Sequence, residues 1–206
     1  MSNDDISRDL TRAFAAYPAA PGDLSRLHDR LAAAAQRDGL LEVGYRVVDS
    51  PVGPLLLAAT EQGLVRVAYA REDHDAVLQA LADRVSPRIL RAPGRLEIAA
   101  RELGEYFDGR RQAFSLPLDW RLASGFRQTV LRQLPGIGYG RTASYAAIAQ
   151  RAGSPRAVRA VGTACATNPL PVVVPCHRVV RSDGSLGGYL GGAEAKRALL
   201  DLEAAA

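Results

Sequence analysis

The sequence of 206 residues is poor in cysteine, histidine and lysine, and each shortage excludes something. Its two cysteines, Cys165 and Cys176, lie eleven positions apart with no Cys-x-x-Cys pairing, so neither a disulfide scaffold nor a redox pair is expected. Three histidines that do not cluster with ligand spacing supply no metal set, and no metal or cofactor is expected. No window holds eighteen uninterrupted apolar residues and the first ten residues are polar and acidic, so neither a membrane span nor a secretory signal is expected. A reducing, cytoplasmic setting suits a free thiol. Lys196 is the single lysine among 26 basic residues, which singles out a position where an ammonium is wanted.

What is present is a packed globular composition, 48% apolar, with net charge +4. Residues 1–120 carry 15 Arg against 18 Asp and Glu, a balance of −3, whereas residues 121–206 carry 11 basic and 4 acidic side chains, a balance of +7. The positive half suits a polyanionic partner such as DNA.

That half also holds VVVPCHRVV at Val172–Val180. Three β-branched valines predict a buried strand that Pro175 ends, which puts Cys176 at the end of a short strand. His177 and Arg178 follow directly, and nearby positive charge favours the nucleophilic thiolate.

The motif VPCHRVV, with ARAVG and TNP before it and GGYLGG, KRALL and Glu203 after it, resembles the O6-alkylguanine-DNA alkyltransferases, the methylated-DNA–protein-cysteine methyltransferases. The resemblance covers Leu118–Glu203 closely, Val43–Pro117 more weakly, and none of the first forty residues. It implies an α/β (α+β) protein: a small antiparallel sheet with helices, then a mainly helical domain carrying a DNA-binding helix-turn-helix. Three segments are expected: a helical extension over 1–40, a support domain over 41–118, and the alkyltransferase domain over 119–206.

Read in order, residues 1–40 predict two helices, one from a Ser7 cap and one over Asp23–Gly39. In the second, Leu24, Leu27 and Leu31 form a stripe expected to pack on the protein's own body. Val43–Asp49, Pro54–Thr60 and Leu64–Ala70 predict an antiparallel meander, Asp75–Val85 and Arg95–Phe107 helices on one sheet face, and Phe114–Leu118 a short strand. His74 is expected to be exposed. Ser144 and Ser154 are expected to cap the two helices of the helix-turn-helix, with Val158, Val161 and Cys165 buried and Arg156, Arg159 and Thr163 outward.

On the matching positions the resemblance implies a chemistry. A base inside a duplex must leave the stack to reach a thiol below the protein surface. Arg159 fills the gap, Tyr145 assists extrusion and can protonate the leaving base, and Asn168 is a hinge tying the helix-turn-helix to the cysteine segment. Glu203 orients His177, which draws the Cys176 proton through water. Tyr189 walls the pocket, Gly187 and Gly188 offer backbone to the base, and Lys196, Arg156 and Thr163 join the DNA-binding set. The alkyl group of O6-alkylguanine, and of O4-alkylthymine, moves once and irreversibly to Cys176. The partner implied is double-stranded DNA, bound in the minor groove with little sequence preference by a monomer. Departures from the family are Gly138–Arg141 in place of a PYGE-like turn, Cys165-Ala166 in place of Asn-Gly, and Leu190 in place of a small or hydroxylated residue. The rival readings are a non-catalytic lesion-binding sensor and a cysteine hydrolase, which would need an oxyanion hole.

Overall fold

A computed structural model describes residues 22–205. Helix α1 (Asp23–Arg37) is followed by strands β1 (Val43–Val48), β2 (Leu55–Thr60) and β3 (Gly63–Tyr69), helix α2 (His74–Arg84), strand β4 (Ile89–Arg91) and helix α3 (Glu97–Phe107). The second half holds α4 (Gly125–Gln133), β5 (Ala143–Ser144), α5 (Tyr145–Arg151), α6 (Val158–Ala166), β6 (Val179–Val180) and α7 (Gly192–Ala204). The mixed α+β class read from the sequence holds.

The first sheet runs β3-β2-β1-β4. The meander pairs antiparallel as expected, but β4 joins β1 in parallel, so the sheet is mixed. Every residue of β2 is buried. Leu55, Leu57 and Ala59 share a core with Leu96, Ala99, Leu103 and Tyr106 of the α3 region, while Leu56 and Ala58 pack with Val77 and Leu81 of α2. The two helices therefore cover opposite faces, not one, and a strand apolar on both sides is the sequence signature of that arrangement. Phe114–Leu118 forms no strand; only Leu118 bridges, to Leu64. His74 is half-buried rather than exposed.

The α3-side core continues without a break into Val130, Leu131, Ile148, Val161, Leu170, Val174, Cys176 and Leu199 of the second half. Backbone bonds reinforce it: Leu64 N–H donates to Pro117 O at 2.8 Å, and Val67 N–H to Pro169 O at 2.9 Å. Buried Asp119 accepts from Thr60 Oγ1 at 2.6 Å and pairs with Arg121 at 2.7 Å, pinning the connection between halves.

The α1 stripe is the clearest departure. Leu24, Leu27 and Leu31 are 65%, 56% and 52% exposed, and the helix instead buries Ala32 and Ala35 against Leu41 and Ala92. Small side chains let this helix approach closely where leucine would hold it off. The helix expected to begin at Ser7 lies outside the described residues. In the helix-turn-helix, Ser144 Oγ does accept from Ala147 N–H, at 3.1 Å. Ser154 does not cap the second helix; residues 154–157 form a turn and the helix begins at Val158, which is itself exposed.

Gly63 opens β3 at φ +135° with its Cα pressed against the Pro117 carbonyl, where a Cβ would overlap backbone that cannot yield. Gly63→Ala is therefore expected to cost more than about 2 kcal/mol, read as a lower denaturation midpoint at unchanged slope.

Candidate active site

The segment before the cysteine is not the expected strand. Val172 adopts φ +70°, Val173 and Val174 continue a turn, and Cys176–Arg178 is a single 3-10 turn that leads into β6. The cysteine thus precedes a strand instead of ending one. β-branching made Val172–Val174 look extended, but their burial comes from the shared core, where Val172 and Val174 are at most 1% exposed.

Cys176 is 1% exposed. Asn168 Nδ2 lies 3.1 Å from its Sγ and 2.8 Å from Val174 O, while Asn168 Oδ1 accepts from Leu170 N–H at 3.0 Å. One carboxamide thus ties the end of α6 to the cysteine turn and to the sulfur itself. Burial pushes the thiol up to about 11, against the lowering by the Asn168 contact and the Lys196 charge. The resting group is a neutral thiol, as a relay that must remove its proton requires, and the flanking His and Arg do not lower it. Those two cations are unavailable: His177 is neutral and Arg178 is committed elsewhere.

Their common partner is Glu203, on the last turn of α7. His177 Nε2 lies 2.9 Å from Oε1, Arg178 Nε and Nη2 donate to the same carboxylate at 2.9–3.1 Å, Tyr106 OH donates at 2.7 Å and Gly140 N–H at 3.3 Å. Burial alone would raise this carboxyl, but the hydrogen bonds from His177 and Arg178 prevail and hold it at about 2. An ionised carboxylate only accepts, so His177 carries its proton on Nε2. Burial also lowers the His177 pKa despite Glu203, so the ring stays neutral. Its buried Nδ1 has no hydrogen-bond partner among the described residues, leaving a bare lone pair as a proton acceptor.

The Pro135–Thr142 turn has a role that its sequence did not disclose. Gly140, at φ +65°, presses on the backbone of Glu203, where a Cβ would sit 2.9 Å from the carbonyl oxygen. Arg178 donates to Ile137 O at 2.6 Å and lies over the Tyr139 ring at 5.7 Å. Sequence reasoning also missed Tyr106, which sits 97 positions from Glu203 in a helix with no motif.

Cys176 and His177 lie behind the wall of a cleft of about 720 Å3 and do not line it; it is bounded by Tyr145, Arg159, Gly187, Gly188, Tyr189 and Leu190. Five of these were expected at the site and Leu190 was flagged as a departure. Tyr145 OH packs on Gly187, and Tyr189 stands edge-on to His177 with ring centroids 6.3 Å apart, joining the cleft wall to the proton acceptor. Tyr189 OH bonds Tyr69 OH of β3 at 2.8 Å. Thr163 is exposed and its hydroxyl bonds its own helix at Arg159 O, while Arg156 is exposed on the turn before α6; neither lines the cleft. Lys196, expected among the DNA-binding residues, is instead fully buried, donating to Val179 O at 2.6 Å and to Leu186 O. It staples the Arg181–Leu190 loop to β6, so its ammonium cannot touch DNA. Cys165 is buried, as expected. No group of three or more metal-binding side chains occurs, and no helix is long and apolar enough to cross a membrane, among the described residues.

Glu203→Gln leaves Arg178 buried beside a neutral group, and removing one partner of such a pair costs about 3–5 kcal/mol. Because the Glu203 pKa is depressed, its contribution is complete above about 4.5 and lost as pH falls towards about 2. Depression of the His177 pKa adds a loss beginning as pH falls below 6.5. Melting temperature of the wild type is expected to fall throughout acidification; in the Gln variant it starts lower at pH 7 and loses less below about 4.5.

A family profile described as "6-O-methylguanine DNA methyltransferase, DNA binding domain" matches residues 125–205, and one described as the "ribonuclease-like domain" of the same methyltransferase matches residues 43–120. The methylated-DNA--protein-cysteine methyltransferase of Mycobacterium tuberculosis is 40% identical over 161 residues, covering 78% of this chain and 92% of the relative. The constitutive enzyme of that name from Bacillus subtilis is 39% identical over 163 residues, covering 77% and 94%. The crystal structure of the Mycobacterium tuberculosis O6-methylguanine methyltransferase superposes with TM-score 0.70 at 39% identity, covering 79% of this chain and 93% of that one. One of the Mycobacterium tuberculosis OGT in complex with DNA gives 0.69 at 40% identity with the same coverage. With both profiles in order along the sequence, and with Cys176, His177 and Glu203 all inside the second, the chain belongs to the O6-alkylguanine-DNA alkyltransferase family.

Proposed function

We propose that the chain repairs DNA by moving the alkyl group of O6-alkylguanine onto Cys176, once per molecule. The observation that carries the roles is the bare Nδ1 of His177, next in the chain to the buried Cys176, with Nε2 held by an ionised Glu203. The thiol proton passes through water to Nδ1, and the imidazolium so formed is stabilised by Glu203. Sγ attacks the alkyl carbon as the carbon–O6 bond breaks; a thioether forms and the bonding pair leaves with guanine, which is protonated as it departs. Tyr145, which lines the cleft and stays protonated because burial raises its pKa, is the donor in this reading, and the proton taken up by His177 replaces the one it gives, by way of solvent. A thioether is a poor leaving group, so the protein is spent.

The same site takes O4-alkylthymine. Arg159, exposed at the cleft mouth, occupies the stack in place of the flipped base, while Arg156 and Thr163 meet DNA outside the cleft. Docking is in the minor groove, by a cytoplasmic monomer with little sequence preference. The division at residue 118 into a supporting half and a DNA-binding half belongs to this reading.

Mass spectrometry after mixing with an O6-methylguanine duplex is expected to find one methyl per chain, on Cys176; multiple turnovers in excess duplex would overturn the reading. Cys176→Ala is expected to abolish transfer and change duplex affinity by less than about 1 kcal/mol. The pH dependence separates a relay from a preformed thiolate. With the thiol at about 11, a free thiolate would gain about tenfold in rate per pH unit from 7 to 9. Proton transfer to His177 instead predicts a nearly level single-turnover rate over that interval and a fall below pH 6.5 as Nδ1 protonates.

A further inference from the structure

We infer that Arg71, in the half whose sequence suggests only support, is a phosphate contact for the DNA that delivers the flipped base. The inference rests on the repair reading above and adds a residue to its interface.

Arg71 is exposed and lines the same cleft as Tyr145, Arg159 and Arg181. Its guanidinium packs against Gly192 at the start of α7, and it has no ion pair or hydrogen bond among the described residues. The one carboxylate on the cleft wall, Glu72, is not free to neutralise it. Glu72 is paired with Arg66 and accepts the Tyr69 N–H at 2.9 Å. Those bonds fix the 3-10 turn Ala70–Glu72 that carries Arg71. The next contact inward, Tyr69 OH to Tyr189 OH, locks this turn to the cleft wall, and the Tyr69 ring packs on Gly191.

The cleft mouth is thus framed by three guanidinium groups from three separate segments: Arg71 before α2, Arg159 on α6 and Arg181 at the start of the loop after β6. Tyr145, Gly187, Gly188, Tyr189 and Leu190 make part of the lining uncharged, and the repair reading seats the flipped base against them. An unpaired, positioned arginine at the mouth matches the anionic group that must travel with the base, its own backbone phosphate, and guanidinium offers a bidentate fork for phosphate oxygens.

The test uses the whole chain with Arg71→Gln and Arg71→Lys, measuring transfer from an O6-methylguanine duplex across a salt series and from free O6-methylguanine base. Arg71→Gln is expected to leave the free-base rate within about twofold, lower the duplex rate about fivefold, and make the salt slope shallower by about 0.9, one phosphate's worth. Arg71→Lys should recover most of the slope. Free-base and duplex rates falling together would mean that Arg71 merely props the Gly192 turn, and an unchanged salt slope would exclude a phosphate contact; either overturns the inference. A wild-type protein inert toward both substrates would instead count against the repair reading itself.

Discussion

A single buried carboxylate organises the chemistry and much of the fold. Glu203 takes donors from an α3 tyrosine, from the turn before β5 and from two neighbours of the cysteine. A charge of this kind is tolerable in a core only with a counter-charge and satisfied lone pairs. Arg178 supplies the charge, and the other donors complete the shell. The arrangement keeps His177 neutral with one defined tautomer, and so leaves its Nδ1 free to accept a proton. Stability and reactivity here draw on the same interaction.

Burial of the thiol follows the same logic. A permanently ionised cysteine would be exposed to oxidants and electrophiles at all times. In this protein the arginine next in the motif is diverted to Glu203, the thiol stays protonated, and Asn168 steadies the sulfur. Tyr189 joins the cleft wall to the imidazole.

The two halves are more interdependent than their compositions imply. An acidic segment and a basic segment share one apolar core, and β3 reaches across to the Asn168–Pro169 carbonyls through Arg66 and Val67. The first half therefore packs against the segment that holds Asn168, and it furnishes Arg71 to the cleft and Tyr69 to the wall residue Tyr189. Its helices sandwich the sheet because β2 is apolar on both faces, a pattern visible in LLLAA but readable also as one dense face.

Sequence alone determined the elements whose signals are local: the meander, the helices around Ala76–Leu81 and Leu103, the Ser144 cap, and the Pro-Cys-His-Arg motif with its partner glutamate spaced along α7. Family motifs are contiguous, so they also located the cleft residues Tyr145, Arg159 and Tyr189. Tertiary structure decided whatever depends on which surfaces meet. β-branching cannot distinguish a buried turn from a buried strand, so Val172–Val174 looked extended. A helical leucine stripe cannot show whether its neighbour has room for leucine or only alanine, and α1 turned its alanines inward. A lone lysine does not announce whether its ammonium meets phosphate or carbonyl oxygens, and Lys196 found two of the latter. The donors of Tyr106 and Gly140 to Glu203 span 97 and 63 positions, and only the shared core brings groups so far apart in the chain to one carboxylate.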